Sequence, residues 1–136
     1  MIAFGTQLVG RTEKALNALL LQELAGTGLD EHRWIALTLT TAGGDDVTGR
    51  IARALRVDRA TATARLAELA ASGLVRIDGP EMVATPRGVA LRDRIVAAIG
   101  RITADLWGDL PADDLAVAGD VLRTVLSRAE VALAAR

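Results

Sequence analysis

A chain of 136 residues suffices for one domain with a sizeable core; with 51% hydrophobic but only 2% aromatic residues, that core must be aliphatic, built from Ala- and Leu-rich runs that favour helix. The absence of cysteine excludes disulfides, thiol sensing and Cys-based metal sites, and a single histidine leaves little for His-based chemistry, so neither a metal nor a redox cofactor is expected. Net charge is −1 and mean hydropathy +0.30, yet no uncharged run exceeds the eleven residues from Trp34 to Gly44, short of the about 20 that a membrane span needs. Met1-Ile2-Ala3-Phe4 lacks the basic start and apolar run of a secretory signal, which reads as cytoplasmic.

In chain order, Thr6 to about Ala25 reads as a long helix. Leu8, Ala15, Leu16, Leu19, Leu20 and Leu24 form its apolar stripe; Ala18 and Leu21 make it wider than one core face needs, which predicts burial on two sides. Gly26-Thr27-Gly28 ends it. Asp30 is the expected N-cap of a second helix, with Trp34, Ile35 and Leu37 towards the core and Gly43-Gly44 as its stop. His32, with no second histidine to act with, is expected on the solvent side. Trp34 is a candidate wall for a small-molecule pocket and serves equally well as a core anchor.

From Asp45 to Thr85 the pattern changes. Ile51, Ala52 and Leu55 supply the apolar face of a short helix, and Arg56-Val57 is the whole connection to the next. That next helix has Asp58 as N-cap, then Ala62, Leu66, Leu69 and Gly73 at steps of four, three and four. Helices joined so tightly must cross, which is the geometry of a helix-turn-helix; a plain helical hairpin is the alternative. Leu74 to Asp78 and Met82 to Thr85 are expected as strands around a Gly79-Pro80 turn, a small wing. Thr85-Pro86 then opens a helix as N-cap and first residue, with Val89, Ile95, Val96, Ile99, Ile102 and Leu106 on its apolar side and Gly108 as breaker. Asp109-Leu110-Pro111 begins the last helix, where Leu115, Leu122, Leu126, Ala129 and Leu133 repeat almost to the C-terminus. A terminal helix apolar to its end needs a surface to lie on, and a two-fold partner is the economical one.

This order resembles the multiple-antibiotic-resistance regulator (MarR) family over nearly the whole chain. The matching residues are Gly28-Leu29 with Trp34, Ile51-Ala52 with Leu55, Val57-Asp58-Arg59-Ala60-Thr61, Ala71-Ser72-Gly73-Leu74-Val75, and Thr85-Pro86-Arg87-Gly88. The resemblance implies a mainly α, winged helix-turn-helix fold with long N- and C-terminal dimerisation helices and a short two-stranded wing. It implies one winged-helix domain over 1–136, with a DNA-binding lobe at 30–87 and dimerisation helices at 6–25, 88–107 and 111–135. Such proteins are homodimers that usually repress transcription by binding double-stranded DNA, and often release it when a small aromatic or amphipathic effector binds near the lobe junction.

The charge distribution suits that reading. Val47 to Arg94 holds nine arginines against five acidic residues, +4, while the remaining residues carry seven basic and twelve acidic groups, −5. Arg59, Thr61, Thr63 and Arg65 are the expected groove-side contacts, and Arg50, Arg53 and Arg87 the expected phosphate contacts. Two features depart from the family. The wing loop, Asp78-Gly79-Pro80-Glu81, is short and acidic with no Arg at its tip. The face of the second helix opposite its buried stripe holds Ala60, Ala64, Ala67 and Ala71, and Ala64 stands where the family often has Arg. Methyl groups can meet thymine methyls but cannot make the bidentate contacts of Arg, Asn or Gln. An alternative function follows, a winged-helix dimer with weak or lost DNA binding that serves protein interaction or ligand sequestration. Catalysis is not expected: the paired carboxylates Asp45-Asp46 and Asp113-Asp114 fall at predicted helix starts, where they complement the dipole, and no nucleophile–base pair or phosphate-binding Gly-rich loop is present.

Overall fold

The computed structural model describes residues 1–136 as six helices and one antiparallel strand pair. In order these are α1 (Thr6–Leu24), α2 (Glu31–Ala42), α3 (Val47–Leu55), α4 (Arg59–Ala71), β1 (Val75–Asp78), β2 (Glu81–Ala84), α5 (Pro86–Trp107) and α6 (Ala112–Ala134). No helix is long and apolar enough to cross a membrane. The architecture is the mainly α winged helix-turn-helix expected from the pattern of the sequence. Met1–Ile99 forms one compact unit and Gly100–Arg136 a second, with the chain of α5 running from one into the other.

The first unit is built around α2, which packs on α1, α3, α4 and β2. Its centre is aliphatic: Leu37, Ile51, Leu66 and Leu69 are the largest side chains fully removed from water, and Leu24, Trp34, Leu74 and Ile95 join them. Because α2 has neighbours on several sides, His32 is half-buried and not on open solvent as its isolation in the sequence suggested. The threonines at the end of α2 satisfy themselves locally, Thr40 donating to the Ala36 carbonyl and Thr41 to that of Leu37.

Caps fix the remaining elements. Asp30 accepts from the Arg33 amide, Asp46 from that of Gly49 and Asp58 from that of Thr61. The α3–α4 connection is as short as the sequence suggests: Arg56 turns left-handed (φ 55°), Val57 follows with its amide on the Ala52 carbonyl, and Asp58 already caps α4. Gly73 (φ 76°) releases the chain from α4 into the wing. The strands pair from Val75↔Ala84 to Asp78↔Glu81, so β1 starts one residue later than expected and ends where expected, while β2 lies one residue earlier than expected at both ends. Between them only Gly79 and Pro80 make the turn, and Gly79 takes the positive φ (60°) that a two-residue hairpin of this kind asks of its first residue. Thr85 then does two jobs, donating its hydroxyl to the Gly73 carbonyl and accepting from the Gly88 amide as the cap of α5.

In the second unit, Pro111 precedes α6, which starts at Ala112 and not in the Asp109–Pro111 segment. None of its residues is buried, and Val117, Val125, Leu126, Val131 and Leu133 are each more than half exposed.

Candidate nucleic-acid interface

Helix α4 owes its orientation to its own sequence. Ala62, Leu66 and Leu69 are buried against the first unit's core, so geometry turns Ala60, Thr63, Ala64, Ala67 and Ala71 outward, and all five are exposed. The outward face is therefore a row of methyl groups with one hydroxyl, as its sequence implied. That hydroxyl is tied locally, Thr63 donating to the Arg59 carbonyl at 3.0 Å. Thr61 is half-buried beside Asp58, whose carboxylate lies below its ordinary pKa because the Thr61 side chain and then its amide hydrogen-bond to the ionised form.

The arginines expected to meet DNA fall into two groups. Arg53 is exposed. The other four hold partners within the chain. Arg50 is half-buried on α3 and donates to the Gly43 carbonyl. Arg59, first residue of α4, lies 2.8 Å from the Asp46 carboxylate. Arg65 turns along its own helix to Glu68 at 3.2 Å, and Glu68 also faces Arg33 of α2, so Arg65 lies at the buried edge. Arg87 donates to the Ser72 carbonyl at 3.1 Å, which makes it a bracket on the C-terminus of α4. Arg59, Thr61 and Thr63 thus share the first two turns of α4, Arg53 of α3 lies near enough to Asp46 to help hold its carboxylate ionised, and Arg87 is carried to the opposite end of α4.

Asp46 was not singled out as a site residue by the sequence, yet it organises this corner. Its carboxylate is held below the usual range first by the Arg59 side chain and then by the Gly49 amide. The signal available in the sequence was its N-cap position before Val47; its partnership with a residue thirteen positions on is invisible to local spacing. Asp30 behaves alike: burial pushes its pKa up, but the amide and guanidinium of Arg33 outweigh that and the net shift is downward. Arg76, exposed on β1, is a further cation the reading of the sequence passed over.

Two grooves border this lobe. One of about 570 Å³ lies between the α2–α3 corner and β2, lined by Gly44, Asp46, Arg59 and Met82 among others. The second, of about 640 Å³, is lined by Thr27, Ser72, Leu91, Arg87 and Arg94. Trp34 lines neither; it is 7% exposed and packs in the core.

No protein-family model and no curated protein matches the sequence. Solved structures do match the fold. CouR from Rhodococcus jostii RHA1, solved bound to p-coumaroyl-CoA, is 22% identical over 87% of this chain and 88% of its own, with a TM-score of 0.74. A MarR-family transcriptional regulator from Rhodococcus sp. RHA1 is 22% identical over 87% and 89%, with a TM-score of 0.70. Transcriptional regulator PA3341 is 26% identical over 91% and 96%, with a TM-score of 0.74. At such identities the likeness is one of fold.

Proposed function

We propose that this chain, which has the winged helix-turn-helix fold of MarR-family transcriptional regulators, acts as a cytoplasmic homodimer that binds double-stranded DNA and represses transcription until a small aromatic or amphipathic effector releases it. The observation that carries this reading is the presentation of α4: a helix anchored on Ala62, Leu66 and Leu69 offers its whole opposite face to solvent, with Arg59 at its start and Arg53 exposed on the preceding helix. A helix docked by its N-terminal half in the major groove needs such a free face and such flanking cations. The CouR structure, with p-coumaroyl-CoA bound on this fold, supports the effector half of the proposal.

A mobility-shift titration with the DNA upstream of the protein's own gene, at several salt concentrations, tests it. Retarded species whose affinity falls linearly in log salt, and resists competition by unrelated duplex, are expected. No retardation at the lowest salt would sink the reading. It would leave the second one, a winged-helix dimer used for protein interaction or ligand sequestration, which is favoured by the methyl face of α4 and the Asp78↔Glu81 pair at the wing tip. For the effector, the expected pocket is apolar and near Trp34. With Trp107 replaced by Phe, phenolic compounds that displace the protein from DNA should change Trp34 emission; unchanged emission would remove Trp34 from that pocket.

A further inference from the structure

We propose that Asp46 masks Arg59, and so lowers sequence-independent binding to polyanions at the start of α4. Its meaning for gene regulation rests on the DNA-binding reading above; the electrostatic effect itself does not. The same Asp46 oxygen accepts from the Gly49 amide at 3.2 Å and from the Arg59 guanidinium at 2.8 Å. The carboxylate is not a mobile partner. Its residue is fixed in the left-handed region (φ 50°, ψ 53°) as the cap of α3, and it lies over Gly49 so closely that a Cβ there would collide with it. From the other side, Arg50 grips the Gly43 carbonyl and packs its guanidinium over Gly44, holding the α2–α3 corner that carries Asp46.

Arg59, by contrast, can move. Its side chain is 64% exposed against 47% for Asp46, so the pair faces solvent at the end of α4 where a polyanion would arrive. Towards a phosphate the pair presents no net charge. If Arg59 swings to a phosphate, Asp46 stays with the Gly49 amide and brings an unpaired negative charge to the same place. Any contact that depends on charge alone is therefore weakened, on every sequence alike. Because a phosphate contact carries no sequence information, the masking lowers affinity for specific and unrelated duplex together and leaves their ratio unchanged. Asp46 in this sense sets the strength of charge-driven binding without touching the polyanion's bases.

The test is a cycle of variants read on heparin, a polyanion without bases, and on duplex of unrelated sequence. Asp46→Asn keeps an oxygen for the Gly49 amide and a residue type at ease in the left-handed region. It should bind both about two- to fivefold more tightly, the range over which an exposed ion pair matters. The slope of log affinity against log salt should steepen by up to about 0.9 per chain. In an Arg59→Ala background the same change should alter neither quantity. Asp45→Asn, the same loss of charge one residue away, should have less effect than Asp46→Asn. Asp46→Gly, which suits the backbone and costs a cap only a few tenths of a kcal/mol, should repeat the Asn result if the effect is the carboxylate's. No gain from Asp46→Asn, an equal gain in the Arg59→Ala background, or an equal gain from Asp45→Asn would each overturn the proposal. A protein that binds heparin but not its own upstream DNA would refute the regulator reading and leave the heparin cycle to decide on Asp46. One that binds neither overturns both.

Discussion

Gly88 sits where the first turn of α5 passes over the backbone of Leu74, so closely that a Cβ would collide with the Leu74 carbonyl oxygen. Neither partner in that clash is a flexible side-chain end. Gly88→Ala must therefore displace α5 from the Leu74 backbone that leads into β1, and should lower stability by about 1–3 kcal/mol, the usual range for overpacking, read as a shift in the midpoint of urea unfolding. An unchanged midpoint would mean that α5 does not seat here. The rest of the Thr85-Pro86-Arg87-Gly88 motif has the same character: Thr85 joins Gly73 to the Gly88 amide and Arg87 closes α4. Among the contacts expected from sequence, Thr61 and Arg50 separate two roles. Thr61→Ala should change preference among related DNA sequences, because it alters the surface at the start of α4. Arg50→Ala should weaken all sequences alike, since it removes a cation and frees the Gly43 carbonyl that the cation holds. Binding selections on a randomised duplex pool would separate these, and a changed preference in the Arg50 variant would refute the division. Residue identities on one helix face were legible in advance, since burial of Ala62, Leu66 and Leu69 dictates what faces out. The partners of Arg50, Arg59 and Arg87 were not, because each lies on another segment and a charge in a sequence carries no direction.

At the scale of elements, caps and breakers located the helix ends to within a residue or so, the start of α6 included, because Asp30, Asp46, Asp58 and Thr85 act on amides three residues away. The wing was legible for the same reason, its two-residue turn leaving little choice of register. Its electrostatics follow from that register. Asp78 and Glu81 stand opposite one another beside the Gly79-Pro80 tip, like charges directly across a strand pair, and Arg76 lies on the same side of β1 as Asp78. The hairpin thus approaches any phosphate with two carboxylates in front and one guanidinium behind. The expected consequence is a wing that adds little affinity and a shallow salt dependence. Asp78→Arg should reverse this, and steepen the slope of log affinity against log salt by up to roughly 1.8 for a dimer that gains one phosphate contact per subunit. Affinity should rise on specific and unrelated DNA together. An unchanged slope would mean that the wing never reaches the backbone and would favour the reading in which this lobe does not serve DNA.

For the whole molecule, the outstanding quantity is apolar surface. Along α6, Leu122, Leu126 and Leu133 repeat at helical spacing and are 43%, 54% and 54% exposed, and Val117 and Val131 on the same helix are exposed further still. Val96 and Leu106 of α5, and Val9 and Leu21 of α1, are left in a similar state. Isolated exposed hydrophobic residues are ordinary, but a stripe sustained along a helix of 23 residues is the kind of surface that an interface covers. The sequence carried this signal in the breadth of its α1 stripe and in the persistence of the α6 repeat; what it could not carry is the identity of the covering surface, because a periodic stripe fits any complementary one. A second copy of the chain is the expected partner, in an interface on the order of 2,000–5,000 Å². Leu126→Asp separates the possibilities. On a helix that stays exposed, the change should lie within about 0.5 kcal/mol of neutral. In a dimer that buries the stripe, it should leave sedimentation at half the mass, or unfolded chain, at concentrations where the parent is dimeric. Removal of residues 111–136 should go further and yield insoluble or unfolded protein, since the chain would lose the apolar stripe that the dimer is expected to bury. A soluble, folded monomer from that truncation, together with unchanged sedimentation of the Leu126 variant, would refute the dimer and with it the two-fold arrangement of recognition helices that DNA half-sites one helical turn apart require.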